Sequence, residues 1–109
     1  MKKFNGKIIV YASTSTLRRR INGISAATEK LAKKLGLKVE FITLREKFSS
    51  VYVYYKGCKG EAVPIYYNGN KQQTAEEIFE KLRNMIFVLS FHPKYSILKR
   101  KRKMIIQLS

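Results

Sequence analysis

Aspartate and tryptophan are missing from this 109-residue chain, and cysteine and histidine occur once each. The lone cysteine, Cys58, excludes an intrachain disulfide, and with only His92 to join it there is no Cys/His set of zinc-site spacing. Without aspartate, the carboxylate cage of a metal-dependent nuclease has poor materials. No metal ion and no other cofactor is therefore expected. Nowhere do eighteen apolar residues run together, so no membrane-spanning helix is expected. Lys2 and Lys3 are not followed by an apolar stretch of signal length, because residues 8–12 are too few and lead into hydroxyls and arginine. A reducing cytoplasm is the expected setting.

Negative charge is the other scarce commodity. Seven acids, all glutamate, face 23 Lys and Arg, for a formal net charge of +16. A hydrophobic content of 45%, with seven Tyr and six Phe, is enough for a real core, so the excess describes a folded cation rather than a disordered one. Such an imbalance strains the compact state by self-repulsion unless an anionic partner relieves it. Nucleic acid and anionic membrane surface are the obvious relievers; a solvated lysine-rich surface is the plain alternative. The length fits one domain, residues 1–109, with a basic C-terminal segment over 93–109.

Residues 7–12, Lys-Ile-Ile-Val-Tyr-Ala, form an apolar run without alternation that stops in four hydroxyls, Ser13, Thr14, Ser15 and Thr16. A strand buried on both faces, hence central, is expected there. Leu17, Ile21, Ile24, Thr28, Leu31 and Leu35 then recur with helical spacing, and Gly36 suits the C-terminal end. Asn22-Gly23 is a good turn pair and a place where this helix could break. Residues 37–44 read as a second strand, apolar on both faces towards its end, parallel to the first through a right-handed crossover. Residues 51–55 and 61–67 read as an antiparallel hairpin, with Pro64 marking an edge position, a bulge or a special turn. Thr74 and Glu77 make a capping box for a helix running to about Ser90, with Ile78, Leu82, Met85, Ile86 and Leu89 as its stripe. Beyond Pro93 two readings stay open: a docked amphipathic helix, or a basic linker followed by a short strand over 104–108.

The expected fold class is thus α/β, a mixed sheet of about four strands with helices packed on it. The order strand, helix, strand, strand, strand, helix resembles the thioredoxin-like fold. Ser13-Thr14-Ser15-Thr16 stands at the strand-to-helix turn where glutaredoxin-like proteins carry Cys-x-x-Cys, and Val63-Pro64-Ile65 looks like the Val-Pro dipeptide whose cis-proline faces that turn. Neither turn cysteine is present, and Cys58 belongs to the hairpin loop, so the thiol-disulfide exchange that the resemblance implies does not carry over.

The positive charge is gathered in three places: Arg18, Arg19 and Arg20; Lys56 and Lys59; and the unbroken run Lys99, Arg100, Lys101, Arg102 and Lys103. These are the candidate phosphate contacts of a nucleic-acid-binding protein, not an enzyme, of low sequence specificity, since neither a groove-reading helix-turn-helix nor a zinc finger is evident. Tyr52, Tyr54, Tyr55, Tyr66 and Tyr67 lie on the hairpin, where outward rings could stack unpaired bases, which favours RNA over DNA; packing beneath a helix or at a dimer seam is the ordinary alternative. Ser13, Thr14, Ser15 and Thr16 at a helix N-terminus are a candidate anion site for a phosphorylated small molecule, although hydroxyl residues are also the usual caps. A third expectation is a redox-inactive interaction or assembly protein, with homodimerisation through the hairpin edge or the C-terminal segment. His92, with no companion ligand, reads as a helix-end residue.

Overall fold

A computed structural model describes residues 6–13, 18–44, 50–57, 61–69 and 73–107. Strand β1 (Lys7–Ser13) leads into helix α1 (Arg18–Leu35), followed by β2 (Lys38–Leu44), β3 (Val51–Lys56), β4 (Val63–Asn68) and α2 (Ala75–Leu89). A 3-10 turn at Pro93–Tyr95 precedes two short helices, α3 (Ser96–Arg100) and α4 (Arg102–Gln107). The four strands form one sheet in the order β2-β1-β3-β4, with β1 parallel to β2 and antiparallel to β3, and β3 antiparallel to β4. β1 is central, as expected, but among the described residues helices cover only one of its two faces, and Lys7 and Tyr11 on the other are half-buried.

Alternation divides each strand between two faces. Ile8 and Val10 of β1 and Val51, Val53 and Tyr55 of β3 are buried in one cluster with Ile24, Leu31 and Leu35 of α1 and Ile78, Leu82 and Ile86 of α2. Both long helices therefore cover the same face. α1 runs unbroken through Asn22-Gly23 because its apolar stripe, Ile24, Thr28, Leu31 and Leu35, is buried along its length, and packing outweighs one glycine's propensity. The Thr28 hydroxyl is satisfied within the helix, donating to the Ile24 carbonyl at 2.9 Å. The helix ends at Gly36, whose φ of 67° suits glycine, and the Leu37 N–H donates to the Ala32 carbonyl at 2.8 Å, closing a Schellman turn.

β2 departs from expectation. It is an edge strand, with Phe41 44% exposed and Ile42 and Leu44 only half-buried, because β1 pairs with it on one side and nothing does on the other among the described residues. Pro64 sits on the opposite edge strand, β4, beside an irregularity. Val53 pairs with Tyr66 but Tyr54 with Pro64, leaving Ile65 as an extra residue, so Ile65 and Tyr66 are buried in succession. Tyr66 donates to the Gln73 side chain and accepts from Asn68 Nδ2 at 3.0 Å, which ties β4 to the approach of α2. The capping box is complete: Glu77 N–H donates to the Thr74 hydroxyl at 3.1 Å and the Thr74 N–H to the Glu77 carboxylate. Of the two readings for the C-terminal segment, the helical one holds. Leu98 and Ile105 are fully buried in the core cluster, and the chain bends at Lys101 between them.

The two glycines of α1 should respond in opposite directions to alanine. A Cβ at Gly23 meets the Ile78 methyl at 3.7 Å, an ordinary contact, so Gly23→Ala should raise unfolding stability by up to about 1 kcal/mol. Gly36→Ala, at positive φ, should lower it by about 1 kcal/mol. Urea unfolding of the two variants beside the wild type checks both signs.

Candidate functional site

The face of the sheet turned away from α1 and α2 carries no helix among the described residues. Its side chains are those the alternation sends outward. The register aligns Tyr11 of β1 with Tyr52 of β3, and Tyr52 with Tyr67 of β4, so three tyrosines stand in one row across three strands. Tyr54 adjoins this row: its ring meets that of Tyr11 edge to face, centroids 5.4 Å apart, while Tyr52 and Tyr67 lie tilted at 5.1 Å. Tyr67 is 59% exposed and the other three are half-buried. A shallow hollow of about 390 Å³ is lined by Tyr11, Tyr52, Tyr54, Leu44 and Ala62. Tyr55, by contrast, is buried in the core against Tyr95, and Tyr66 is buried with it.

A second row crosses the same face four residues towards the start of β1, about 13 Å away at strand spacing. Lys7 is aligned with Lys38 of β2 and with Lys56 of β3. Among the described residues one acid, two positions along β2 from Lys38, reaches this row. Glu40 accepts from Lys7 Nζ at 2.8 Å, and that bond, with the charges of Lys7, Lys38 and Lys56, holds its carboxyl below the usual carboxylate range.

Topology decides which of the expected cations join them. α1 leaves the end of β1 and returns to the start of β2, so its last turn, with Lys33 and Lys34, lies at the Lys7 end. β4 runs in the direction of β1, so α2 begins at the far end and finishes at the Lys7 end, where Tyr95 meets Tyr55. Lys99 and Arg100 follow, both exposed. Lys56 and the run from Lys99 to Lys103 are thus brought to one end of the molecule. The backbone of Arg18, Arg19 and Arg20 begins α1 at the opposite end, roughly 27 Å away for a helix of that length. Glu76, Glu77 and Glu80, in the first turns of α2, share that far end.

Within the C-terminal run the cations differ in duty. Arg102 donates from Nη2 to the Ser90 carbonyl at 2.9 Å and from Nε to the Ser90 hydroxyl at 3.2 Å, and its guanidinium lies 3.9 Å from the Phe91 ring centre. It closes the end of α2. Lys99, Arg100 and Lys103 are exposed and make no ion pair among the described residues, and Lys101 is half-buried. Lys59, Thr14, Ser15 and Thr16 lie outside the described residues. Ser13 is 4% exposed at the end of β1. The bond before Pro64 is trans, and Pro64 aligns through Tyr54 with Ile9, four residues along β1 from Ser13, so it does not face that turn. His92 is exposed, its ring against Tyr95.

Sequence reasoning missed Tyr11, Lys7, Lys38 and the Lys33-Lys34 pair. The signal was available for two of them: Lys7 and Lys38 open two parallel strands joined by one crossover, so their ends must coincide. The described residues include no cluster of three or more His, Cys, Asp or Glu able to hold a metal ion, and no helix long and apolar enough to cross a membrane. The chain matches no protein-family model, no curated protein and no solved structure.

Two outcomes follow from these contacts. Glu40 has a lowered carboxyl pKa when folded, so its contribution to stability is present above the ordinary carboxylate value of 4.5 and fades as pH falls below it. Thermal unfolding of Glu40→Gln should show a deficit at neutral pH that closes in acid. Arg102→Gln should cost about 1–2 kcal/mol through the lost cap and stacking, while Lys99→Gln should stay within about 0.5 kcal/mol of wild type, as read by urea unfolding.

Proposed function

We propose that this chain is a small nucleic-acid-binding protein of low sequence specificity, RNA preferred over DNA, that holds its partner by neutralising phosphates. The observation that carries the reading is a concentration of positive charge at one end of the molecule. Lys7, Lys33, Lys34, Lys38, Lys56, Lys99, Arg100 and Lys103 belong to six elements whose ends meet at one end of the molecule. Three of the seven glutamates stand on the first turns of α2 at the other end, which the backbone of Arg18, Arg19 and Arg20 shares. Cations concentrated this way repel one another within about 8 Å at physiological salt and are relieved by a polyanion laid across them. RNA is favoured because it offers unpaired, splayed bases to an aromatic sheet surface.

No catalytic role is part of this reading, and a reducing, cytoplasmic setting suits a single thiol. We also read the domain as thioredoxin-like in arrangement and redox-inactive. What supports this is the β-α-β unit followed by a hairpin and a helix; Pro64, trans and remote from Ser13, departs from the pattern.

Affinity for a labelled duplex, titrated with salt, tests the phosphate mechanism. If about six phosphates are neutralised, log affinity should fall with log salt at a slope near −5. Lys99→Ala, Arg100→Ala and Lys103→Ala should each make the slope shallower by about one. A slope near zero, or no binding at low salt, overturns the proposal.

A further inference from the structure

Resting on the nucleic-acid reading, we infer that the sheet face that carries no helix among the described residues is a base-stacking platform, selecting single strands over duplexes: unpaired bases lie on the tyrosines while the backbone phosphates follow the lysine row.

Three features argue for this occupant. The first is the pairing of chemistries on one surface. The tyrosine row, Tyr11, Tyr52 and Tyr67, and the lysine row, Lys38, Lys7 and Lys56, cross the same face and stand about 13 Å apart along the strands. A single strand has the matching division, apolar base faces on one flank and phosphates on the other. The second is the shape of the site. The hollow bounded by Tyr11, Tyr52, Tyr54 and Leu44 is shallow and ring-lined, which suits a flat group lying against it better than a ligand needing enclosure. The third is rigidity. These tyrosines stand on strands whose opposite faces are locked into the core by Ile8, Val10, Val51 and Val53, all with no exposed surface, so their backbone positions are set before any ligand arrives. A duplex keeps its bases stacked on one another and can use only the lysines. The same phosphate contacts are open to both forms, and stacking is what separates them.

The discriminating measurement is fluorescence anisotropy at low salt with labelled oligouridylate of about 12 nucleotides and an RNA duplex of the same length, a span within the usual range for such sites. The wild type should bind the single strand roughly tenfold or more tightly than the duplex, and Tyr54→Thr, which keeps strand propensity but removes the ring, should erase roughly tenfold of single-strand affinity. Duplex affinity should stay within about twofold, and Tyr54→Phe, with its ring intact, should bind like wild type. Far-ultraviolet circular dichroism and unfolding confirm that each variant is folded. Equal affinity for the two forms, or a Tyr54→Thr variant that binds the single strand as well as wild type, overturns the platform while phosphate neutralisation stands. Absence of binding to either form at low salt instead defeats the nucleic-acid reading itself. Sedimentation supplies the remaining arm: a wild-type dimer that Tyr54→Thr converts to monomer, with oligouridylate affinity unchanged, would assign the face to a second copy of the chain and overturn the inference.

Discussion

The parallel pairing of β1 with β2 is the constraint from which the rest of the molecule follows. Two parallel neighbours cannot be joined by a hairpin, so α1 must cross from the end of one to the start of the other over a single face. The hairpin then returns β4 to the direction of β1, and α2 leaves from the same end as α1 and lies beside it. With both helices committed to one face, every outward residue of the three strands β1, β3 and β4 goes to the other. The valines of β3 face the core and Tyr52 and Tyr54 face out; a register slip of one residue would exchange them. Core patterning and the chemistry of the open face are therefore one specification, because a strand that buries Val51, Val53 and Tyr55 has no choice about where its alternate residues point.

This explains which parts could be read from the chain alone. Local signals carried β1, the continuous stripe of α1, the Gly36 turn and the Thr74-Glu77 box, since each is fixed by neighbours a few residues away. The parity of Tyr52 and Tyr54 was also legible in the alternation with Val51 and Val53. Whether the outward side is covered was not, because that depends on two helices 40 residues apart in sequence choosing one face. Whether Arg18, Arg19 and Arg20 share a side with Lys56 was not legible in the sequence; strand direction puts the start of α1 at the other end. Periodicity alone was also silent on residues 104–108, where four apolar side chains in five fit either a strand or a helix; Ile105, fully buried in the core cluster against which Phe87 packs, decides for the helix over 102–107.

The lysine end is stabilised less by acids than by helix termini. Lys33 and Lys34 sit in the last turn of α1, where unsatisfied carbonyls give a partial negative charge. Arg102, half-buried, does the same for α2. Among the described residues Lys7, Lys38 and Lys56 have Glu40 alone to offset them, and like charges aligned across neighbouring strands work against the fold.

A surface of that kind couples folding to occupancy. Repulsion among the aligned lysines weakens the native state and leaves the unfolded chain, where they separate, almost untouched. A polyanion bound to the folded form removes this handicap and adds its own binding free energy, so the two effects have the same sign. The tyrosine row does not take part in that exchange, because ring stacking is little affected by salt. On the proposed reading, the two rows would respond to different properties of a ligand, one to its charge density and the other to the availability of its bases. A polyanion without bases would then engage the first alone, and only an unpaired strand would engage both.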